Sequence, residues 1–368
     1  MRVLLVSGSY PPMKCGIGAY TARLASALAD RPGLEVAVLT DVAAGTRRFD
    51  QKVEVLPVAD GWVWRDLPRI TKSAEDWAPT VAHVQYPTQG YGTRLLPYML
   101  PLAFFLRRIP TVQTWHEFWL GRFRSVPNAV VPGGLVFVRP GHLKRVPRTY
   151  RFLMKRKIVR EIPNASPLPI AALTDAERAQ TRRRYVPNGR RMVVYFGFAY
   201  PAKGVEAIFE VANPTRDHIV LVCDLSERDD YHGRLLQLAG EPRWSGKASF
   251  TGYLPDEDAA SLLASADAIV LPFRDGGGNW NTSVHAGRSQ GTFVLTTSEE
   301  LRGFVPAENC YYASPGKLDE MRMALDRHMG SRALRHADKP QAAWPAIAEA
   351  HEVLYHEVVA LSRSDESH

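Results

Sequence analysis

Short apolar runs rich in β-branched residues recur along the chain, each followed by a stretch whose apolar positions return every three or four residues. The runs Val3–Ser7, Val36–Thr40, Val53–Val58, Val81–Gln85, Pro110–Thr114 and Leu135–Val138 predict strands in the first half. Met192–Phe196, Ile219–Cys223, Ala248–Thr251, Ala268–Pro272 and Phe293–Thr297 predict strands in the second. Ile269-Val270-Leu271 is continuously apolar rather than alternating, the pattern of a parallel strand buried on both faces. Between the strands, Ile17, Tyr20, Leu24 and Leu28 share one helical face, as do Ala259, Leu262, Leu263 and Ala266. Strand starts in the second set are spaced as in βαβ units, so the fold class is α/β with parallel sheets.

With 368 residues the chain has room for two such units. The break is expected in the irregular stretch from Pro163 to Arg191, which holds Pro163-Asn164-Ala165-Ser166-Pro167-Leu168-Pro169 and the basic run Arg182-Arg183-Arg184. Residues 1–169 then form the first domain and 170–342 the second. Ligands of open parallel sheets bind beyond the carboxyl ends of the strands, which places the expected site in a cleft between the two domains.

Composition changes this picture little. Apolar residues at 45% and charged residues at 23% are those of a globular protein, which excludes disordered and collagenous classes. Three widely spaced cysteines, Cys15, Cys223 and Cys310, offer no disulfide framework or metal spacing and fit a reducing, cytoplasmic compartment. No secretory leader is read at the start, and the apolar stretch Leu95–Leu106, broken by Pro97 and Pro101, is too short to span a bilayer.

Charge is uneven. Residues 1–168 carry 24 Lys and Arg against 11 Asp and Glu, a net +13, whereas the remainder carries a net −5. Between Glu117 and Glu161 stand Arg122, Arg124, Arg139, Lys144, Arg145, Arg148, Arg151, Lys155, Arg156, Lys157 and Arg160, with no acid among them. This run reads either as a plain solvated face or as a surface for an anionic partner. No nucleic-acid-binding signature accompanies it, so nucleic acid is not expected. An anionic membrane surface, reached by a peripheral cytoplasmic protein, or a phosphorylated substrate fits the charge.

Four segments carry candidate chemistry. Gly16 and Gly18 open the first helix, where bare amides and the helix dipole favour an anion. Gly16-x-Gly18-x-x-Thr21 with Asp41 also matches a dinucleotide fingerprint weakly, because its first glycine stands too far beyond the strand. His116 follows the strand Pro110–Thr114 and reads either as a site residue at a strand's carboxyl end or as a structural histidine. Lys203-Gly204 precedes a helix expected from about Val205, where an ammonium and a helix start can share a phosphate. Arg274-Asp275-Gly276-Gly277-Gly278-Asn279-Trp280-Asn281-Thr282-Ser283 joins a strand to a helix with Thr282 or Ser283 as cap, and its glycines could form an anion-binding nest. Asp256-Glu257-Asp258, after Pro255, reads as dipole compensation at a helix start, so no metal is expected.

Together these residues resemble glycosyltransferase family 4, the group 1 glycosyl transferases. Val3-Leu4-Leu5-Val6-Ser7 with Tyr10-Pro11-Pro12 and Gly16-Ile17-Gly18 looks like the family's first βα unit. His116 matches its cleft histidine, and Phe196-Gly197 through Lys203-Gly204-Val205-Glu206 its phosphate-binding segment. Gly252-Tyr253-Leu254, the Asp256–Ala266 helix and Asp267 are similar to the segment beside the nucleotide base. Trp344, Ile347, His351, Leu354 and Tyr355 look like a terminal helix, about 343–363, that returns to the first domain.

The resemblance implies a GT-B fold of two facing Rossmann-like domains, and a retaining, metal-independent transfer of sugar from a nucleotide-diphosphate donor without a cofactor. It implies Lys203 and His116 as catalytic residues. Gly16, Gly18, Gly204, Tyr253, Leu254, Gly277, Gly278, Asn281, Thr282 and Ser283 would bind the donor. The acceptor would be a lipid-linked or phosphorylated glycan, as in polysaccharide biosynthesis. The sequence also departs from the family. With Gly291 on the family's helix-end glycine, the two donor-site glutamates fall at Gly278 and Ala286, and the arginine upstream of the lysine reads as Phe198. Two alternatives therefore stand: an epimerase or hydrolase of the same fold, and a nucleotide-sugar-binding protein that has lost catalysis.

Overall fold

The branched apolar runs assemble into two sheets whose strands are parallel apart from one antiparallel pair at an edge of each. The computed structural model describes residues 1–116, 126–186, 189–278, 280–333 and 343–365; Arg122, Arg124 and Asn279 lie outside them. The chain forms two compact units, Met1–Pro163 with Ala342–His368, and Asn164–Gln341.

The first unit holds β1 (Arg2–Val6), β2 (Glu35–Asp41), β3 (Arg48–Asp50), β4 (Val53–Ala59), β5 (Val81–Tyr86), β6 (Thr111–Trp115), β7 (Gly133–Phe137) and β8 (Lys157–Glu161). Their order is β3-β4-β2-β1-β5-β6-β7-β8. The chain thus runs outward from β1 on one side, then returns to β5 on the other. Loops leaving β1 and β5 diverge, and a doubly wound sheet binds its ligands at such a reversal. The second unit repeats the plan with β9 (Arg191–Phe196), β10 (Asp217–Val222), β11 (Ala248–Phe250), β12 (Ala268–Leu271), β13 (Val294–Thr297), β14 (Gly303–Val305) and β15 (Cys310–Ala313). Here the order is β11-β10-β9-β12-β13-β15-β14, and the reversal lies between β9 and β12.

All the expected strands are present, with ends shifted by a residue or two. β3, β8, β14 and β15 were not expected. β3, β8 and β14 lie at or beside sheet edges, are short or charged, and therefore lack the apolar run that marks a central strand. The unit boundary falls at Asn164 rather than Ile170. The Asn164 amide donates to Trp280 O at 2.8 Å, the Gln290 amide donates to Pro169 O at 2.7 Å, and Leu168 is buried in the second core. These contacts draw the proline-rich segment into the second unit.

The helix Ala343–Asp365 closes the first unit. It buries Ile347, His351, Leu354, Tyr355 and Val358, packs on helix Gly16–Ala29 and β7, and is fastened by Arg160–Glu357 at 2.8 Å and by an Arg31–Glu352 pair. No described helix is long and apolar enough to cross a membrane.

Candidate functional site

In the second unit, the residues flanking the β9/β12 reversal are bound to one another. The turn Pro201–Lys203 follows β9 and ends at Gly204, whose φ of +61 lies in the left-handed region. A Cβ at Gly204 would stand 2.4 Å from Pro272 O, so only glycine lets the two loops approach this closely. The Arg274 N–H donates across the gap to Ala202 O at 3.0 Å. Glu206 accepts from the Arg274 guanidinium and from the Tyr231 hydroxyl, and that hydroxyl oxygen in turn accepts from Val205 N–H at 2.9 Å. Burial pushes the Glu206 carboxyl up, but the bonds from Tyr231 and Arg274 outweigh it and hold the group below the usual carboxylate range. The Lys203 ammonium lies 4.5 Å from the Phe273 ring centre and 5.2 Å from that of Tyr200, a cation held between aromatic faces at the end of the sheet.

Beyond β12, the expected nest is corrected. Gly277 N–H donates to Thr297 O at 2.7 Å and Gly278 N–H to Asn281 Oδ1 at 3.0 Å, so these two amides are already committed inside the protein. The helix Thr282–Ser289 is capped by Asn281, not by Thr282 or Ser283, and the Asn281 side chain is turned back to Gly278 rather than onto the first turn. That leaves the first-turn amides of Thr282 and Ser283 without a side-chain cap, where an anion gains both hydrogen bonds and the helix dipole. Gly197 lets this helix come close: a Cβ there would meet Ser283 Oγ at 2.9 Å.

Neither family glutamate position has room for one. A Cβ at Gly278 would stand 2.4 Å from the Trp280 ring, and Ala286 is fully buried in the core. Where the family places its arginine, Phe198 contributes its carbonyl to the Tyr195 hydroxyl at 2.8 Å. Helix formation after Lys203 also begins later than expected: Val205–Ala207 is a 3-10 turn and the α-helix is Ile208–Val211. Tyr253 is 62% exposed next to half-buried Leu254, and Asp256, Glu257 and Asp258 fill the first turn of helix Asp256–Ser265.

In the first unit, His116 stands at the carboxyl end of β6. Its N–H donates to Tyr86 O at 2.9 Å, its Nε2 lies 3.0 Å from Gln85 Oε1, and Tyr20 meets the ring edge-on at 4.8 Å. Burial lowers its pKa to about 3, with His351 adding to the effect, so the ring is neutral at physiological pH. Tyr20 also contacts Trp344 of the terminal helix, with ring centres 5.4 Å apart. Helix Gly16–Ala29 begins at Gly16, after a Cys15 that supplies no side-chain cap, so the Gly16 and Gly18 amides also face no intrahelical acceptor. Asp41 does not fit a ribose acid: its oxygens accept from Ala43 N–H at 2.9 Å and Gly61 N–H at 3.1 Å.

Sequence reasoning singled out Lys203 and His116 but not the bonds among the residues near them. Arg274 comes from the loop after β12, Tyr231 from the first turn of helix Asp230–Gly240 and Glu206 from the turn Val205–Ala207, and only the topology brings the three together. Gln85 had a signal: His83 and Gln85 are polar and share one face of β5, a strand buried along its whole length.

A glycosyl transferase 4-like domain model matches residues 15–197. An alpha-D-kanosaminyltransferase from Streptomyces kanamyceticus is 32% identical over 106 residues, 27% of this chain and 26% of that protein, so the likeness spans about a quarter of that relative's length. Among solved structures, a sucrose-phosphate synthase from Thermosynechococcus elongatus superposes with a TM-score of 0.77 at 16% identity, covering 98% of this chain and 99% of that one. HepE from Anabaena, in complex with UDP-glucose, superposes with a TM-score of 0.67 at 15% identity, covering 99% and 98%. At such identities the solved structures show a shared GT-B fold, and residues 15–197 match the glycosyl transferase 4-like domain.

Proposed function

We propose that the protein transfers a sugar from a nucleotide-diphosphate donor to an acceptor, with retention at the anomeric carbon and without a metal or other cofactor. Two observations carry this reading: the Lys203 ammonium set against Phe273 at the reversal of the second sheet, and the start of helix Thr282–Ser289, which no side chain caps. A leaving diphosphate gains negative charge as the glycosidic bond breaks, and fixed positive potential there lowers the barrier. Loss of one such donor typically costs on the order of 10²–10³ in rate. Lys203 and the amides of Thr282 and Ser283 supply that potential, which leaves a metal no necessary part. Tyr253 and Leu254 flank the nucleotide base. Neutral His116 contacts the transferred sugar as a hydrogen-bond acceptor. The first unit, with exposed Lys144, Arg145, Arg148, Arg151, Lys155 and Arg156, takes an acceptor carrying phosphate, free or on an anionic membrane.

A second reading, a nucleotide-sugar-binding protein without catalysis, draws on the crowding at Gly278 and the burial of Ala286. One experiment separates them. In a thermal-shift screen against UDP-, GDP-, ADP- and dTDP-sugars, a ligand at 100 times its Kd raises stability by about 2.7 kcal/mol. The donor so identified is then offered with phosphorylated and lipid-linked acceptors. Transferase activity requires product in the wild type and its loss in Lys203→Ala with the fold retained. Binding without product across the panel supports the second reading, and unchanged turnover in Lys203→Ala refutes the site.

A further inference from the structure

Three histidines from different elements, His83, His116 and His351, meet inside the first unit, and a single amide lies between two of them. Gln85 Oε1 is 3.0 Å from His116 Nε2, and Gln85 Nε2 is 3.2 Å from His83 Nε2. His83 Nδ1 is 2.7 Å from the Tyr355 hydroxyl, and the Thr114 hydroxyl is 2.8 Å from His83 Nε2. Gln85, His83, Thr114 and Tyr355 are all fully buried, so water does not compete for these bonds. We propose that Gln85 is a positioning residue for His116, and that through Gln85 and His83 the hydroxyl of Tyr355, on the C-terminal helix, sets which ring nitrogen of His116 carries the proton.

The chemistry of the amide makes the coupling strict. An amide oxygen only accepts and an amide NH2 only donates, so the two imidazoles that Gln85 joins must present opposite groups to it. With the Gln85 amide oriented this way, His116 Nε2–H donates to Gln85 Oε1, and His83 Nε2 accepts from the Gln85 amide with the Thr114 hydroxyl beside it. The proton of His83 then sits on Nδ1 and is donated to Tyr355. His116 is left with Nδ1 as a lone-pair acceptor that has no hydrogen-bond partner among the described residues, on a half-buried residue. The groups around His116 favour a neutral ring: burial, and His351 from the terminal helix, whose Nδ1 is itself bonded to Ile347 O at 2.8 Å. Only the use of Nδ1 toward a sugar hydroxyl rests on the transferase reading; the tautomer itself does not.

Removing the Tyr355 oxygen takes away the acceptor that holds the His83 proton on Nδ1. His83 then reverts to the Nε2–H form that a free imidazole prefers, Gln85 turns its oxygen toward it, and the amide NH2 now faces His116, whose proton moves to Nδ1. Long-range 15N–1H spectra of the full chain labelled at histidine read this directly, with no nucleotide or acceptor added. In the wild type at pH 7, His116 is expected as neutral Nε2–H and His83 as Nδ1–H. In Tyr355→Phe, His116 is expected to move to Nδ1–H with the circular dichroism unchanged. In Gln85→Glu, His116 keeps Nε2–H and its pKa rises by roughly 1–3 units, because a carboxylate now faces it. His116 as Nδ1–H in the wild type overturns the proposal, and so do His116 nitrogen shifts unmoved by Tyr355→Phe. The wild-type assignment decides alone should that variant not fold. Since no substrate enters, either failure leaves the donor-site reading standing, and loss of that reading leaves the tautomers as measured.

Discussion

Gly204→Ala puts the contact between the two loops of the second sheet under direct test. The added methyl would stand 2.4 Å from Pro272 O and 3.2 Å from Arg274 Cγ, at a backbone φ of +61. A left-handed alanine costs about 1–2 kcal/mol. Relieving an overlap with a backbone oxygen needs a loop shift, and overpacking of that kind costs about 1–3 kcal/mol. The same shift breaks the Arg274 N–H to Ala202 O bond, worth about 1 kcal/mol. Together these amount to roughly 3–6 kcal/mol, or a fall in Tm of roughly 6–24 °C for a unit of this size. Gly233→Ala is the control: Gly233 lies inside helix Asp230–Gly240 with nothing within 4 Å of the new methyl, so it should gain about 0.5–1 kcal/mol. Urea unfolding and calorimetry of both variants beside the wild type measure the difference. A Gly204→Ala protein within 1 kcal/mol of wild type would show that the loops are not in contact as described, and that Lys203 is not held by them.

Two further outcomes follow. His116→Ala should lower kcat by on the order of 10² while moving the Kd for nucleotide less than threefold, by calorimetry beside a turnover assay, and an affinity loss matching the rate loss would make His116 a nucleotide ligand instead. Lys157, in the middle of the basic run, is buried on β8 with no hydrogen-bond partner for its ammonium among the described residues, and burial lowers its pKa from 10.5 to about 7. Between about pH 7 and 10.5 the unfolded chain holds a proton that the folded one has released, so stability climbs with pH across that window. Lys157→Met should raise stability at pH 7 and flatten the climb in urea midpoints measured at pH 7 and 9.5; an unchanged slope refutes a buried Lys157.

The architecture was readable because continuous β-branched runs and three-to-four periodicity leave few alternatives to two parallel sheets. The edge strands escaped notice for a physical reason: Arg48-Phe49-Asp50 and Lys157–Glu161 owe their pairing to a neighbour's free edge rather than to their own apolar content. Lys203 and His116 were visible as chemistry-bearing residues just past strands, where the topology places functional groups. The triglycine loop misled, because three glycines signal a backbone with unusual freedom but not the partner it chooses. Gly277 and Gly278 choose Thr297 and Asn281, partners that appear only once β13 lies beside β12. The basic run misled in the same way at one position, since charge counting treats Lys157 like its exposed neighbours Lys155 and Arg156.

The closing helix, Ala343–Asp365, belongs to the unit whose other elements were made first. On the ribosome, residues 1–163 emerge early yet lack the segment that covers Tyr20 and His83, whereas residues 164–341 are made before that segment. The half bearing His116 therefore stays unfinished until residues 343–365 have been made, the reverse of the usual amino-first order of domain maturation.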